Sequence, residues 1–219
     1  MIDDLHIQKL WDWSDENQIP DLIWVEHQSY KNGGYFKGVP RDKKKLLELK
    51  ELNLLGSQLE TIPEEIFLLK SLEKLSLSGN QLQELPSTIE NLVHLKELYL
   101  HANRLSKFPT QIGSLRDLEI LSAPENKIAY IAQELGQCTK LRVLELGGNQ
   151  LDALPGEIGN LKKLERLTLW KNRLKKLPQG IHKLTELKEL DLIYNTIELD
   201  EKDVVWLEGL LKKECELGI

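Results

Sequence analysis

The side chains best suited to chemistry are His101 and Ser122, with the carboxylates Glu97, Glu125 and Glu145 within a few tens of residues. A nucleophile, a base and an orienting carboxylate could together support acyl transfer. That reaction needs the base in hydrogen-bond contact with the nucleophile, a third group to orient the base, and an oxyanion hole. These residues stand in short segments that alternate like strands. A flat strand face has no spare pair of backbone N–H groups and does not exclude water, so no catalysis is expected. The five histidines (His6, His27, His94, His101, His182) and two cysteines (Cys138, Cys215) show no metal-ligand spacing. No metal and no cofactor are expected. Asn32-Gly33-Gly34 has the composition of a phosphate cradle, but no GxxxxGK[ST] signature follows it, and it reads as a turn.

Binding chemistry has better candidates. Tyr99, His101, Ile120, Val143, Glu145, Arg166, Trp170, Ile193 and Tyr194 alternate with leucines. Where the leucines face inward, these residues face outward, on a surface that packing does not require to be apolar. Exposed apolar patches mark interaction sites, and Trp, Tyr and Arg dominate interface hot spots. Gly147 beside Trp170 predicts a shallow notch.

The elements that position these residues repeat every 23 residues. Leucines open the units at Leu49, Leu72, Leu95, Leu118, Leu141, Leu164 and Leu187, and the second unit reads LxxLxLxxNxLxxLPxxIxxL. The LxLx segment predicts a short strand with one buried face, and no unit can bury that face without a neighbour. Pro63, Pro86, Pro109, Pro155 and Pro178 at position 15 cannot continue a strand or sit inside a helix, so the chain must turn there. At position 9 stand Asn80, Asn103, Asn126, Asn149, Asn172 and Asn195, with Ser57 in the first unit. An amide donates and accepts, and can bond backbone groups left open where the strand ends.

This pattern resembles the leucine-rich repeat family, and its LPxxIxxL half is similar to the 23-residue intracellular class of bacterial and Ras-group repeat proteins. The resemblance implies a right-handed α/β solenoid, a horseshoe with a parallel concave β-sheet and terminal caps. The expected division is an N-terminal helical cap with a degenerate repeat over 1–48, seven repeats over 49–199, and a C-terminal capping helix over 200–219. The resemblance further implies a non-catalytic module that binds a protein partner on its concave face, a signalling GTPase or a host protein among the candidates. A self-associating assembly protein, or a regulatory or immunity subunit of a separately encoded enzyme, is the alternative. A monomer is expected.

Composition narrows the field further. The net charge of -6 argues against a general nucleic-acid binder. No stretch has the length and apolarity of a membrane span, and the acidic start is not a secretory signal. With two cysteines and no cysteine-rich caps, a reducing cytoplasm is the expected location, though secretion as an effector without a cleaved signal stays open. Lys162, Lys163, Arg166, Lys171, Arg173, Lys175, Lys176 and Lys183 form a basic band that reads either as a steering surface for an acidic partner or as a solvated outer face.

In the N-terminal cap, Ile2, Leu5, Leu10 and Trp11 approximate one helix face, while Trp11, Trp13 and Trp24 supply cap core. Phe36, Val39, Pro40 and Leu46 fall on template positions of a degenerate unit. At the other end Asp200 caps a helix whose stripe is Val204, Leu207, Leu210 and Leu211, with Trp206 to one side. Repeat four departs most from the template, through Ala123, Pro124, Ala132 and Cys138. It reads either as drift or as a local change of curvature.

Overall fold

The computed structural model describes residues 2–26 and 34–219. The chain opens with helix α1 (Asp4–Glu16), whose N-cap Asp3 accepts a hydrogen bond from the His6 N–H. The buried face of α1 is Ile7, Leu10 and Ser14, with Ile2, Trp11 and Trp13 partly buried. Leu5, expected on that face, stands 63% exposed. The helix turns Ile7 and Leu10 inward because Ser14 can follow them: its hydroxyl donates to the Leu10 carbonyl at 2.7 Å and so needs no water. Strands β1 (Ile23–Glu26) and β2 (Gly34–Lys37) form an antiparallel pair. Asn32 and Gly33, read as a turn, lie outside the described residues, as do the side chains of Trp24 and Phe36. Arg41 ties the cap together, donating to the Trp11 carbonyl and to Asp15, while the Trp11 indole donates to the Pro40 carbonyl. Val39, Pro40 and Leu46 are buried, the last on the short helix α2 (Lys43–Leu47).

Seven three-residue strands follow at intervals of 23: β3 (Glu51–Asn53), β4 (Lys74–Ser76), β5 (Glu97–Tyr99), β6 (Ile120–Ser122), β7 (Val143–Glu145), β8 (Arg166–Thr168) and β9 (Glu189–Asp191). All pair in parallel and in strict register, so that Leu52, Leu75, Leu98, Leu121, Leu144, Leu167 and Leu190 form one buried row. Across the core from each of β3 to β8 the chain makes a five-residue 3-10 turn, six in all, from Glu64–Leu68 to Gln179–Lys183. The residue before each turn holds φ between -65 and -73°, the value a proline ring imposes.

The asparagine column stitches neighbouring units. Asn103 Oδ1 accepts from the Leu82 N–H one unit back, while its Nδ2 donates to the carbonyls of Leu77, in that earlier unit, and Leu100, in its own. The pattern recurs at Asn80, Asn126, Asn149, Asn172 and Asn195.

Repeat four keeps the backbone of its neighbours. Ala132 holds the proline conformation, and Cys138 fills the leucine site with its thiol directed at the Ile112 carbonyl. Pro124 is harmless at position 7. The inter-strand ladder takes N–H groups from positions 6 and 8, as at Leu100 and Ala102, and only the carbonyl of position 7. Its strand register and turn conformation match those of the neighbouring units.

Position 8 carries a constraint not read from the sequence. Gly56, Gly79, Ala102, Glu125, Gly148, Lys171 and Tyr194 all have φ between 51 and 67°. This left-handed turn lets the chain leave the strand. Glycine adopts it freely, whereas other L-residues lose roughly 1–2 kcal/mol there.

Helix α3 (Glu201–Leu211) begins with a full capping box formed by Asp200 and Asp203. Its buried face is Asp203, Trp206, Leu207 and Leu210; Val204 and Leu211, expected in the stripe, are exposed. Polar anchors set this rotation. Trp206 Nε1 donates to the Leu184 carbonyl, and Asp203 meets His182 Nε2 at 2.7 Å. The end of the chain is not helical. Glu216–Gly218 form β10, an eighth parallel strand beside β9, where a plain capping helix was expected to the C-terminus.

Candidate functional site

The outward face of the sheet is built from template positions 3, 5 and 7. Its centre is the cross-strand pair Ile120–Val143, both half-buried. On position 3 this pair is flanked by Glu97 on β5 and Arg166 on β8. Each flank is a closed charge cluster. On one side Lys74 pairs with Glu97 at 3.1 Å and stands 5.3 Å from the Tyr99 ring centroid, while the Tyr99 hydroxyl donates to Glu97. On the other, Arg166 bridges Glu189 and Glu145 at 2.5 and 3.6 Å, and the bond to Glu189 raises the guanidinium pKa. Glu145 also accepts from the Ser122 hydroxyl at 2.6 Å.

The aromatic residues lie beside this centre. Trp170 rests on Gly147: a Cβ at Gly147 would overlap the indole, and one at Gly148 would come within 3.2 Å of it. The expected notch is therefore filled, because a glycine at position 7 leaves room for the next unit's ring to lie flat. Ile193 follows Trp170 in the same column and is exposed. Tyr194 is 79% exposed, but at position 8 it belongs to the rim rather than the strand face. His101 is exposed on position 7, with Nε2 3.9 Å from Glu125. Ser122 therefore serves Glu145 and His101 faces Glu125; among the described residues no hydrogen bond joins the two. A proton relay from serine to histidine does not form in this arrangement. No cluster of three or more metal-ligating side chains occurs among the described residues.

The basic band does not gather on this face. Arg166 is held by carboxylates, Lys162 reaches the Lys183 carbonyl, and Lys163, Arg173, Lys175, Lys176 and Lys183 are exposed off the strand face. The carboxylates of positions 3 and 5 (Glu51, Glu97, Glu145, Glu189, Asp191) outnumber Lys74 and Arg166, so the face is acidic. Steering of an acidic partner by this face is not supported.

Position 2 carries a feature missed in the sequence. Lys50, Glu73, Lys96, Glu119, Arg142, Glu165 and Lys188 alternate in sign from unit to unit. Glu73 lies 2.8 Å from Lys50 and 2.6 Å from Lys96, and Glu165 lies 2.9 Å from Arg142 and 2.8 Å from Lys188. The bonds to Lys50 and Lys96 lower the Glu73 pKa to about 2, and those to Arg142 and Lys188 do the same for Glu165. Reading each template column downward would have shown this ladder. Unlike the leucines, its members share a column rather than a residue type.

The stacked strands, the asparagine ladder and the outward face define a leucine-rich repeat solenoid. The family model for the leucine-rich repeat region matches residues 40–152 and 133–202, and the chain belongs to that family. No curated protein sequence matches. Among solved structures, the chain is 30% identical to the leucine-rich repeat ectodomain of the plant membrane receptor kinase GASSHO1/SCHENGEN3 from Arabidopsis thaliana, in complex with CASPARIAN STRIP INTEGRITY FACTOR 2. That match covers 72% of this chain and 20% of the receptor, with a TM-score of 0.65. The plant peptide hormone receptor RGFR1 in complex with RGF2 is 30% identical over 90% of this chain and 36% of its own, with a TM-score of 0.68. An internalin (inlF) from Listeria monocytogenes is 25% identical over 82% of this chain and 51% of its own, also at 0.68. The chain thus spans from a fifth to about half the length of these proteins. No helix among the described residues is long and apolar enough to cross a membrane.

Proposed function

We propose that the concave face binds a protein partner without catalysing a reaction. The observation that carries this is the half-buried Ile120–Val143 pair at the sheet centre, with Trp170 laid flat nearby on Gly147. The stack does not require apolar groups there, and a partner would bury them. Tyr99, His101, Glu145, Arg166, Ile193 and Tyr194 surround the pair and complete the contact set. The partner surface that complements it is apolar at its centre and cationic around it, opposite Glu145, Glu189 and Asp191. Two of the similar structures, a plant receptor-kinase ectodomain and a plant peptide hormone receptor, are complexes with a second molecule, which supports a proteinaceous ligand. The LPxxIxxL units are similar to the intracellular class. With the two unpaired buried cysteines, this supports a cytoplasmic protein whose partner is a signalling GTPase or a host protein. The assignment of 1–48 and 200–219 as caps on a binding stack of 49–199 belongs to the same reading.

The test is quantitative capture from the source organism's extract by the wild-type chain and by Tyr99→Ala/Trp170→Ala. Proteins enriched by the wild type should be lost from the variant, while circular dichroism shows both folded. Equal capture by both would remove the concave-face assignment.

A further inference from the structure

The joint between the N-terminal cap and the stack is built differently from the six joints that follow it. In those six the position-9 amide bonds the backbone of the unit before. In the first unit Ser57 stands there instead, and its hydroxyl is enclosed with no hydrogen-bond partner among the described residues. Beside it is a cleft of about 340 Å³, between the exit turn Gly56–Gln58 and the C-terminal end of α1. A Cβ on Gly79 would meet the unit before it, whereas one on Gly56 would meet nothing within 4 Å. The first exit turn therefore faces open space.

Three residues lining this cleft each go against a local preference. Lys37 has no ion-pair partner among the described residues, and burial lowers its pKa below the ordinary value. Glu16 is the last residue of α1, where the helix dipole disfavours a carboxylate, and it too has no ion-pair partner among the described residues. Gln58 holds φ of 58°, and no other position-10 residue is left-handed. Such breaks of local preference gather where a ligand is held.

We propose that the cleft binds a free α-amino acid in its zwitterionic form. The ligand carboxylate pairs with the Lys37 ammonium. The ligand ammonium pairs with the Glu16 carboxylate and the carbonyls that end α1. Those of Glu16, Asn17 and Gln18 accept no hydrogen bond among the described residues. The neighbouring carboxylates are already engaged: Asp15 accepts from the Arg41 side chain, and Asp21 from the Leu22 and Arg41 N–H groups. A simple anion would gain Lys37 but meet Glu16 and the negative end of the α1 dipole. A simple cation would meet the reverse. A ligand carrying both charges satisfies both walls. The volume is at the small end of the range for small-molecule sites, about 300–1,000 Å³, which suits a single amino acid. The cleft lies at the N-terminal joint, so it does not rest on the partner-binding reading of the concave face.

The test is an NMR titration of the isotope-labelled full chain with glycine and with L-glutamine. It runs to about 10 mM, past the millimolar affinity expected of so small a ligand. Saturable shifts should appear at the Lys37 and Gly56 amides. Acetate and ethylammonium carry one charge each and should bind at least about tenfold more weakly than glycine. Lys37→Gln and Glu16→Gln should each weaken glycine binding about tenfold, the effect of losing one charged contact. Glu16→Gln removes a charge that the helix end disfavours, so it should unfold no earlier than wild type in urea. Its weaker binding therefore cannot be a folding defect. No saturable shift with either amino acid overturns the proposal. So does acetate or ethylammonium binding as tightly as glycine, or glycine binding that either variant leaves intact.

Discussion

The indole of Trp170 occupies the space a side chain on Gly147 would need. Neither residue is remarkable alone in the repeat pattern, but each explains the other. The first prediction is a double-mutant cycle. Gly147→Ala should destabilise the wild type by about 1–3 kcal/mol, the usual cost of forcing an extra methyl into a packed contact. In a Trp170→Ala background the same change should cost under about 0.5 kcal/mol, because the two effects are coupled. Urea midpoints give both values. Equal costs in the two backgrounds would mean the ring does not rest on the glycine.

Backbone strain at position 8 is separable from packing. Gly56 has φ of 60° and Gly156 an ordinary φ, and a Cβ at either would meet nothing within 4 Å. Gly56→Ala should therefore lose about 1 kcal/mol to left-handed strain, whereas Gly156→Ala should be neutral or gain up to about 1 kcal/mol. Tyr194→Gly should raise stability, since it relieves a bulky residue held at φ of 59°. Chemical denaturation of the three variants checks the ordering. A loss for Tyr194→Gly would show that the tyrosine contributes packing its exposure does not suggest.

Much of this molecule was legible because period and residue type coincide. The leucine row, the prolines before the turns and the asparagine column each repeat one residue, and each predicts the element it builds. Position 8 escaped because glycine, alanine, glutamate, lysine and tyrosine share a conformation and no chemistry. The faces of the two end helices were misjudged for a related reason. Apolar spacing put Leu5 and Val204 inward, but Ser14 and Asp203 decided the rotation by hydrogen bonds that hydrophobic pattern does not encode. At the site, the alternation correctly placed Ile120, Val143 and Trp170 outward. It could not show that Arg166 would be spent on Glu145 and Glu189, because that depends on side-chain reach across strands.

The asparagine ladder should carry inter-unit cohesion. Asn103→Ala leaves the Leu82 N–H and two carbonyls without their amide partner in a buried setting. A loss of about 2–3 kcal/mol is expected, at the upper end for an unsatisfied buried group. Hydrogen exchange should locate it: protection should fall at Leu82 and in the unit around Asn103 before the distant caps. Uniform loss across the chain would make the ladder a global rather than a local joint.

Both cysteines should be inert in the folded protein. Burial pushes the Cys138 thiol up to about 11, and burial also raises Cys215. Only the thiolate reacts with disulfide reagents. Labelling at pH 8 should be negligible in native buffer and should track unfolding as urea is added. Rapid native labelling of Cys138 would mean that repeat four opens locally.

The charge ladder at position 2 predicts how the fold responds to acid. Glu73 and Glu165 are held at about 2 by hydrogen bonds from their cationic neighbours, against an ordinary 4.5. A carboxylate whose pKa is depressed on folding adds stability that is fully present above the unfolded value and lost as pH falls through the folded one. Their contribution should therefore be intact above about pH 5 and disappear between about pH 4.5 and 2. Both side chains remain partly open to solvent, so salt should screen the effect, and its size should shrink at high ionic strength. Carboxyl NMR titration should find both pKa values below those of the remaining glutamates at low salt. Glu165→Gln should flatten the acid limb of the stability curve by lowering its neutral end, with little change at the acid end. Normal titration of Glu73 and Glu165 near 4.5 would show that the alternating signs of this column do not form bonded pairs in solution.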